Sequence, residues 1–251
     1  MNTDWLQPQW QAPSGVRAFF STRQGGVSTG PCAGLNLGDH VGDDLAAVAE
    51  NRARLQRALG VRPVFLRQVH GTAVALLDSE TVDGTVADAC ISVQRGVACT
   101  IMVADCLPLL FTTLSGDLVG AAHAGWRGLA AGVLESTVQQ MIRATPTPVS
   151  DILVWLGPCI GPGAFEVGPE VRDAFVGQDA GSAPCFAPQV NGKFLADLAA
   201  LARRRLDAMG VTRVYGNDGS LAWCTVSNPS RFFSHRRDRV SGRMAAGIWL
   251  D

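Results

Sequence analysis

Residues 98–128 read ACTIMVADCLPLLFTTLSGDLVGAAHAGWRG. The stretch holds three short apolar runs, Ala98 to Val103, Leu109 to Thr113 and Leu118 to Ala122, each with the look of a strand. Ser115-Gly116-Asp117 between the last two is a hairpin signal. Upstream, Val64 to Val69, Ala73 to Leu77 and Cys90 to Val93 are runs of the same kind, and further strands are expected at Arg17–Phe20, Ile152–Trp155, Val211–Tyr215 and near the C-terminus. Strands that follow one another with no helix between them pair antiparallel or in mixed sheets, not as a doubly wound parallel sheet.

Three segments carry helical spacing. Leu45, Val48, Arg52, Leu55 and Leu59 form a narrow stripe, with Asp43 or Asp44 to cap its start and Gly60 its end. A second helix is expected from Leu129 to Ile142 and a third from Leu195 to Met209, stopped by Gly210. There are no repeats and no linker-like stretch. The fold class that follows is α+β, a single domain over 1–251 with mixed sheets and helices outside.

Composition narrows the partners. A net charge of −1 gives no electrostatic reason to bind a polyanion, so no nucleic acid is expected. No run approaches ~18 apolar residues, and Met1 to Gln11 lacks a signal-peptide pattern, so neither a membrane span nor secretion is expected. The seven cysteines are odd in number, irregularly spaced and without a C-x-x-C pair. That excludes a zinc ribbon or thioredoxin motif and fits a reducing, cytoplasmic setting.

The chemistry concentrates where strands stop. Gln68-Val69-His70-Gly71, Ala104-Asp105-Cys106-Leu107-Pro108 and His123-Ala124-Gly125-Trp126-Arg127-Gly128 each hold one borderline metal ligand. Two imidazoles and a thiolate, His70, His123 and Cys106, leave one corner of a tetrahedral Zn²⁺ open, the arrangement of a catalytic metal. Copper competes for the same donors. The plain alternative is two satisfied histidines and a core cysteine. Asp105 can hold a ligand histidine by its ring N–H or merely cap a turn. Arg127, at a helix start, can form an anion site with the helix N-terminus. Arg23, in the Gly-rich loop Ser21 to Ser28, and Arg236, in the basic cluster Arg231, His235, Arg236 and Arg237, are further candidates for phosphate contact, although a plain turn and a solvated face are the default for each. The loop Gly157 to Gly163 reads as a stiff wall in which Cys159 is packed. His40 has no evident partner.

Taken together, GGVSTGPCAGLNLGDHVGDD (25–44), NR (51–52), QVHG (68–71), ADCLPLL (104–110), HAGWRG (123–128), GPCIG (157–161), FEVG (165–168) and FFSHRRD (232–238) resemble the YfiH-like family. This is also called the laccase-domain or polyphenol-oxidase family, and its members are described as purine nucleoside phosphorylases. The resemblance implies a four-layer α/β/β/α fold and a metal site at His70, Cys106 and His123. It also implies phosphorolysis of adenosine, inosine and 5′-methylthioadenosine, with adenosine deamination as a side activity. The partners are then a small nucleoside and phosphate. Some bacterial members are linked to editing of peptidoglycan precursors. Cys32, Gly34 and Val103 depart from the family pattern without touching a proposed ligand. A multicopper oxidase mechanism needs a type 1 copper and a trinuclear cluster, far more histidines than the four present.

Two competing readings use the same residues. A Cys–His hydrolase would use Cys106 as nucleophile and His123 as base. A non-catalytic metal-binding protein would close the site with a fourth ligand such as Cys90, Cys99 or His235. For the purine's proton, Asp105 and Glu166 are the carboxylates at hand.

Overall fold

Every residue of Val97–Val103, Leu107–Thr113, Val119–Ala124, Ile152–Leu156 and Met244–Leu250 is buried. Strands buried on both faces belong in sheets covered on both sides, which explains why these segments read as continuous apolar runs rather than alternating ones. The computed structural model describes residues 4–251. Its elements in chain order are β1 (Val16–Phe20), α1 (Leu45–Leu59), β2 (Arg62–Phe65), β3 (Val74–Leu76), β4 (Ala89–Ser92), β5 (Val97–Val103), β6 (Leu107–Thr113), β7 (Val119–Ala124), α2 (Trp126–Ala131), α3 (Val133–Ala144), β8 (Ile152–Leu156), β9 (Glu166–Val167), α4 (Pro169–Val176), β10 (Phe186–Pro188), β11 (Phe194–Ala196), α5 (Leu198–Ala208), β12 (Arg213–Gly216), α6 (His235–Asp238) and β13 (Met244–Leu250).

Two mixed sheets carry the architecture. One has the order β1-β13-β5-β2 and the other β12-β8-β6-β7-β4-β3, while β10-β11-β9 form a small third sheet. In the first, β2 runs parallel to β5 and the other pairs are antiparallel. In the second, the edge pairs β12–β8 and β3–β4 are parallel and the inner pairs antiparallel. Side chains alternate across each strand and sort into three cores. Val97, Cys99, Ile101 and Val103 of β5 meet Leu110, Val119, Ala121 and Trp155 in the layer between the sheets. Ala98, Met102 and Trp249 pack under Leu55 and Leu59 of α1. Leu109, Phe111, Val154 and Leu156 pack under Leu129, Val138, Met141, Leu201 and Leu206 of the helices α2, α3 and α5. The result is the α+β, α/β/β/α arrangement. Among the described residues, no helix is long and apolar enough to cross a membrane.

Two helices differ from the sequence expectation. The expected Leu129–Ile142 helix is two helices, because Gly132 takes a left-handed conformation (φ 102°) and breaks it. The third helix begins at Leu198, where Asp197 caps it by accepting from Ala200 N. Phe194–Ala196 ahead of it is instead a strand, held between β9 and β10. The first helix has the expected ends, with Asp44 accepting from Ala46 N and Gly60 in the left-handed region.

Leu110 is fully buried between the sheets. Leu110→Ala is expected to cost about 2–5 kcal/mol of unfolding free energy in urea titrations, with the secondary-structure signal of the folded state unchanged.

Candidate metal centre

The chain changes sheets between β5 and β6, and Ala104-Asp105-Cys106 makes that crossing. The β6–β7 register pairs Leu107 with Ala124 and Pro108 with His123. Cys106, one residue before, therefore falls beside Gly125, one residue after. A Cβ on Gly125 would stand 3.0 Å from Cys106 Sγ and 2.7 Å from His70 Cδ2, so only a glycine leaves this cradle open. His123 follows the parity of Val119 and Ala121, which face the layer between the sheets. The cluster thus sits at the open end of that layer. His70, Cys106 and His123 offer ligand atoms that all lie within 4.8 Å of one another, and among the described residues no further His, Cys or carboxylate joins them. His70 Nε2 is 3.8 Å from Cys106 Sγ, and the two imidazoles meet edge to face at 4.8 Å.

His70 does not end a strand. β2 stops at Phe65, and the chain then runs to His70 through Gln68, whose side-chain amide both donates to Met102 O and accepts from Met102 N. The turn is held by Asp88, a residue the sequence reading passed over. Its fully buried carboxylate accepts from the backbone N–H groups of Val69 (3.1 Å), His70 (2.8 Å) and Gly71 (2.7 Å). His123 Nδ1 lies 2.9 Å from the same carboxylate, so Nδ1 donates there and Nε2 is the nitrogen turned to the cluster. The hold forces His70 to φ 60°, and Asp105 sits at φ 90° across the site. Positive φ at non-glycine residues is the mark of a strained functional turn.

Asp105 does not orient a ligand histidine. Its carboxylate accepts from Thr225 Oγ1 at 2.6 Å and from the backbone N–H of Arg236 at 2.6 Å. It fastens the crossing to the C-terminal segment, and Asp88 does the work expected of it.

Burial pushes the Cys106 thiol up, but the facing charge of His123 and hydrogen bonds from His123 and His70 outweigh it and bring the thiol down to about 6. Burial lowers His123, and the Cys106 charge with the Asp88 hydrogen bond reverses this and lifts it to about 9. Asp88 is raised by burial, yet its bonds to His123, Gly71 and Val69 take it below its ordinary value. A thiolate and two imidazoles, one buried and one at the rim, fit a borderline divalent cation with one open position.

Two cavities meet at the cluster and share His70, Ala104, Cys106 and His235 as walls. One, of about 160 Å³, is lined by Trp126, Ile160, Phe165 and Leu198 together with Arg127, Arg236 and Arg239. The other, of about 360 Å³, is the more polar of the two and is lined by His40, Gln68, His123 and Arg243 together with Met102 and Val103. Arg127 lies over the Trp126 ring at 4.4 Å. The helix it opens is only six residues long, a short dipole for an anion. Arg236 donates to Glu166 O. Arg23 lines neither cavity: it donates to Pro229 O and Ala33 O and lies over Phe233. Glu166 is paired with Lys193. Cys159 is packed as expected, and burial raises its thiol. Cys90 and Cys99 are fully buried between the sheets, away from the cluster.

Comparison with known proteins fits this geometry. The family model described as multi-copper polyphenol oxidoreductase laccase matches residues 17–251. The chain belongs to this family. A purine nucleoside phosphorylase of Pseudomonas aeruginosa is 54% identical over 98% of both chains, and purine nucleoside phosphorylase YfiH of Escherichia coli is 51% identical over 98% of both. A Neisseria meningitidis crystal structure superposes with a TM-score of 0.92 at 47% identity, covering 99% of this chain and 100% of that one. YlmD from Geobacillus stearothermophilus gives 0.90 at 33% identity, covering 100% and 97%. Within this laccase-described family, the chain's four histidines fall short of a multicopper centre.

Asp88→Asn is expected to weaken zinc affinity by roughly 10–100-fold in competition with a chelator. Its depressed carboxyl contributes stability that is complete above ~3.9 and lost as pH falls through the lower folded value, so the variant should show a flatter acid limb in denaturation. In metal-stripped protein, Cys106 alkylation by iodoacetamide should rise with an inflection near pH 6, well below that of an ordinary thiol, and added zinc should block it.

Proposed function

We propose that the chain is a metal-dependent purine nucleoside phosphorylase acting on adenosine, inosine and 5′-methylthioadenosine, with adenosine deamination as a side activity of the same site. The observation that carries this is the His70–Cys106–His123 cluster at the junction of an apolar and a polar cavity. Phosphorolysis must hold two substrates with their reacting atoms in contact, and two cavities that meet at the cluster have room for both. The names of relatives at 54% and 51% identity support the same substrate class.

The apolar cavity suits a purine. Trp126 and Phe165 offer ring faces, Ile160 and Leu198 exclude water, and Arg127 and Arg236 supply positive charge beside them. In phosphorolysis a bond forms between a phosphate oxygen and C1′ of the ribose, the C1′–N9 bond breaks, and the purine leaves with a proton. His70, Cys106 and His123 would hold a divalent cation, zinc with copper as competitor, and it would supply Lewis acidity toward phosphate or water. Asp88 keeps His123 in the ligating tautomer, and the Asp88-bound turn keeps His70 aimed at Cys106. Asp105 and Glu166 are both committed, to Thr225 with Arg236 and to Lys193, so neither is free to give the proton. The seven unpaired cysteines support a reducing, cytoplasmic setting.

A Cys–His hydrolase, acting for instance on peptidoglycan precursors, draws support from the lowered Cys106 thiol beside His123. A coordinated thiolate is a poor nucleophile, so metal content separates the two readings.

The test is incubation of purified protein with each nucleoside and phosphate, with products separated by chromatography. Free purine and ribose 1-phosphate are expected. Cys106→Ala and His123→Ala should lose metal by elemental analysis and nearly all turnover while keeping the fold. Full turnover in a metal-free variant would refute the reading, and an acyl-enzyme trapped at Cys106 would establish the hydrolase.

A further inference from the structure

The loop Leu35-Asn36-Leu37-Gly38-Asp39-His40 belongs to the longest run that the family resemblance rests on, and nothing in the reaction above uses it. Its job is visible at the other end of the chain. Asn36 Oδ1 accepts from the backbone N–H of Arg243 at 2.8 Å. The Arg243 stem lies in a notch over Gly38, where a Cβ would stand 2.7 Å from Arg243 Cγ. Nη1 of Arg243 donates to Ser241 O, Ser241 Oγ and Gly242 O. Nε and Nη2 have no hydrogen-bond partner among the described residues, and Arg243 makes no ion pair there. The same loop delivers His40 to the polar cavity that Arg243 lines.

Arg243 is half-buried and has no carboxylate partner among the described residues, and its unbonded nitrogens are open to the cavity. The acidic groups near enough to act on it are Cys106, Asp105 and Cys32. Both Asp105 oxygens are taken, by Thr225 and by the Arg236 N–H. Burial, with Asp43 assisting, raises the Cys32 thiol and keeps it neutral, and Cys106 belongs to the cluster. The free edge of Arg243 is therefore left for something that enters the cavity. Arginine's planar fork matches an oxyanion with two parallel hydrogen bonds.

We propose that the polar cavity is the phosphate subsite and that Arg243 is its anchor, with His40 at its wall. The inference rests on the phosphorolysis reading and says which substrate takes which side. Displacement at C1′ brings the nucleophile to the face of the carbon away from the departing base. Two cavities that meet at His70, Ala104, Cys106 and His235, with otherwise separate walls, supply that arrangement: purine on the Trp126 and Phe165 side, phosphate on the Arg243 side. This moves phosphate away from Arg127 and Arg236. Those side chains lie over Trp126 and on the Glu166 carbonyl, in the apolar cavity. Gln68 is a wall and not a ligand, since both ends of its amide are bonded to Met102.

The experiment is titration of metal-replete protein with inorganic phosphate by calorimetry, alongside the kinetics of phosphorolysis. Arg243→Gln should weaken phosphate binding roughly 10–100-fold and raise KM for phosphate in step. KM for the nucleoside should stay within about twofold and the metal content unchanged. Gly38→Ala keeps the charge but displaces the Arg243 stem, so it should weaken phosphate binding in a chain whose core is untouched, which covers the case of Arg243→Gln failing to fold. Arg127→Gln should leave phosphate affinity as it was. Phosphate affinity unchanged in both Arg243→Gln and Gly38→Ala, or lost in Arg127→Gln instead, overturns the assignment, as does absence of phosphate binding by the parent protein. Loss of phosphate binding in Arg243→Gln from a parent that turns over no nucleoside would retire the phosphorylase reading and leave the subsite standing.

Discussion

One buried carboxylate organises this site. Asp88 lies just ahead of β4, and its own carbonyl accepts from His123 N at 2.7 Å, so backbone pairing sets it opposite the histidine before any side chain is considered. Its two oxygens then gather three consecutive N–H groups from the 69–71 turn and the Nδ1 of His123. A carboxylate taken out of water is tolerable only when its lone pairs are satisfied, and here the partners that satisfy it are the backbones and rings that the cluster needs. The left-handed geometry of His70 is the cost of that arrangement, and four hydrogen bonds outweigh it.

The layered fold explains why the cluster lies where it does. A layer between two sheets must end somewhere, and at this end the filling changes from Val119 and Ala121 to His123 along one strand. The chain also switches sheets here, through Asp105, which puts a cysteine at the gap with backbone free to bend. Ile160, whose N–H donates to the Asp105 carbonyl, and the C-terminal α6 segment close the apolar side. The Asn36–Gly38 loop closes the polar side. Neither cavity belongs to a single element, which is why each depends on contacts between segments far apart in sequence.

The strands of the two large sheets were legible because each one is a short apolar run bounded by turn residues. The family resemblance named the three ligands, and the β6–β7 register gives the physical reason two of them meet. Less was legible where polar groups decide. Asp88 looks like an ordinary acid in VADACIS; its only signal is that it abuts an apolar strand without an intervening loop. Asp105 is a candidate for holding a histidine, or for capping a turn, because it is next to Cys106 in sequence, whereas His123 is reached from Asp88 across the sheet. Arg243 carries no signal and Gln68 stands out only as part of the QVHG run, since one lies in a notch over Gly38 and the other bonds to a strand edge. The helix break at Gly132 was missed because apolar spacing continues across it. The β9–β11 sheet was missed because its strands, of two and three residues, are too short to show a period.

The three donors arrive from a turn after β2, a crossover between sheets and the end of β7. Cys106 and His123 are brought together by the β6–β7 hairpin, and the His70 turn is tied to them by Asp88, beside β4, which pairs with β7. A zinc finger gathers its ligands locally and needs the ion in order to fold. Here strand pairing and the Asp88 hydrogen bonds set the spacing of the three side chains. A cation held here would meet a spacing set by the sheets, and zinc and copper would compete for it.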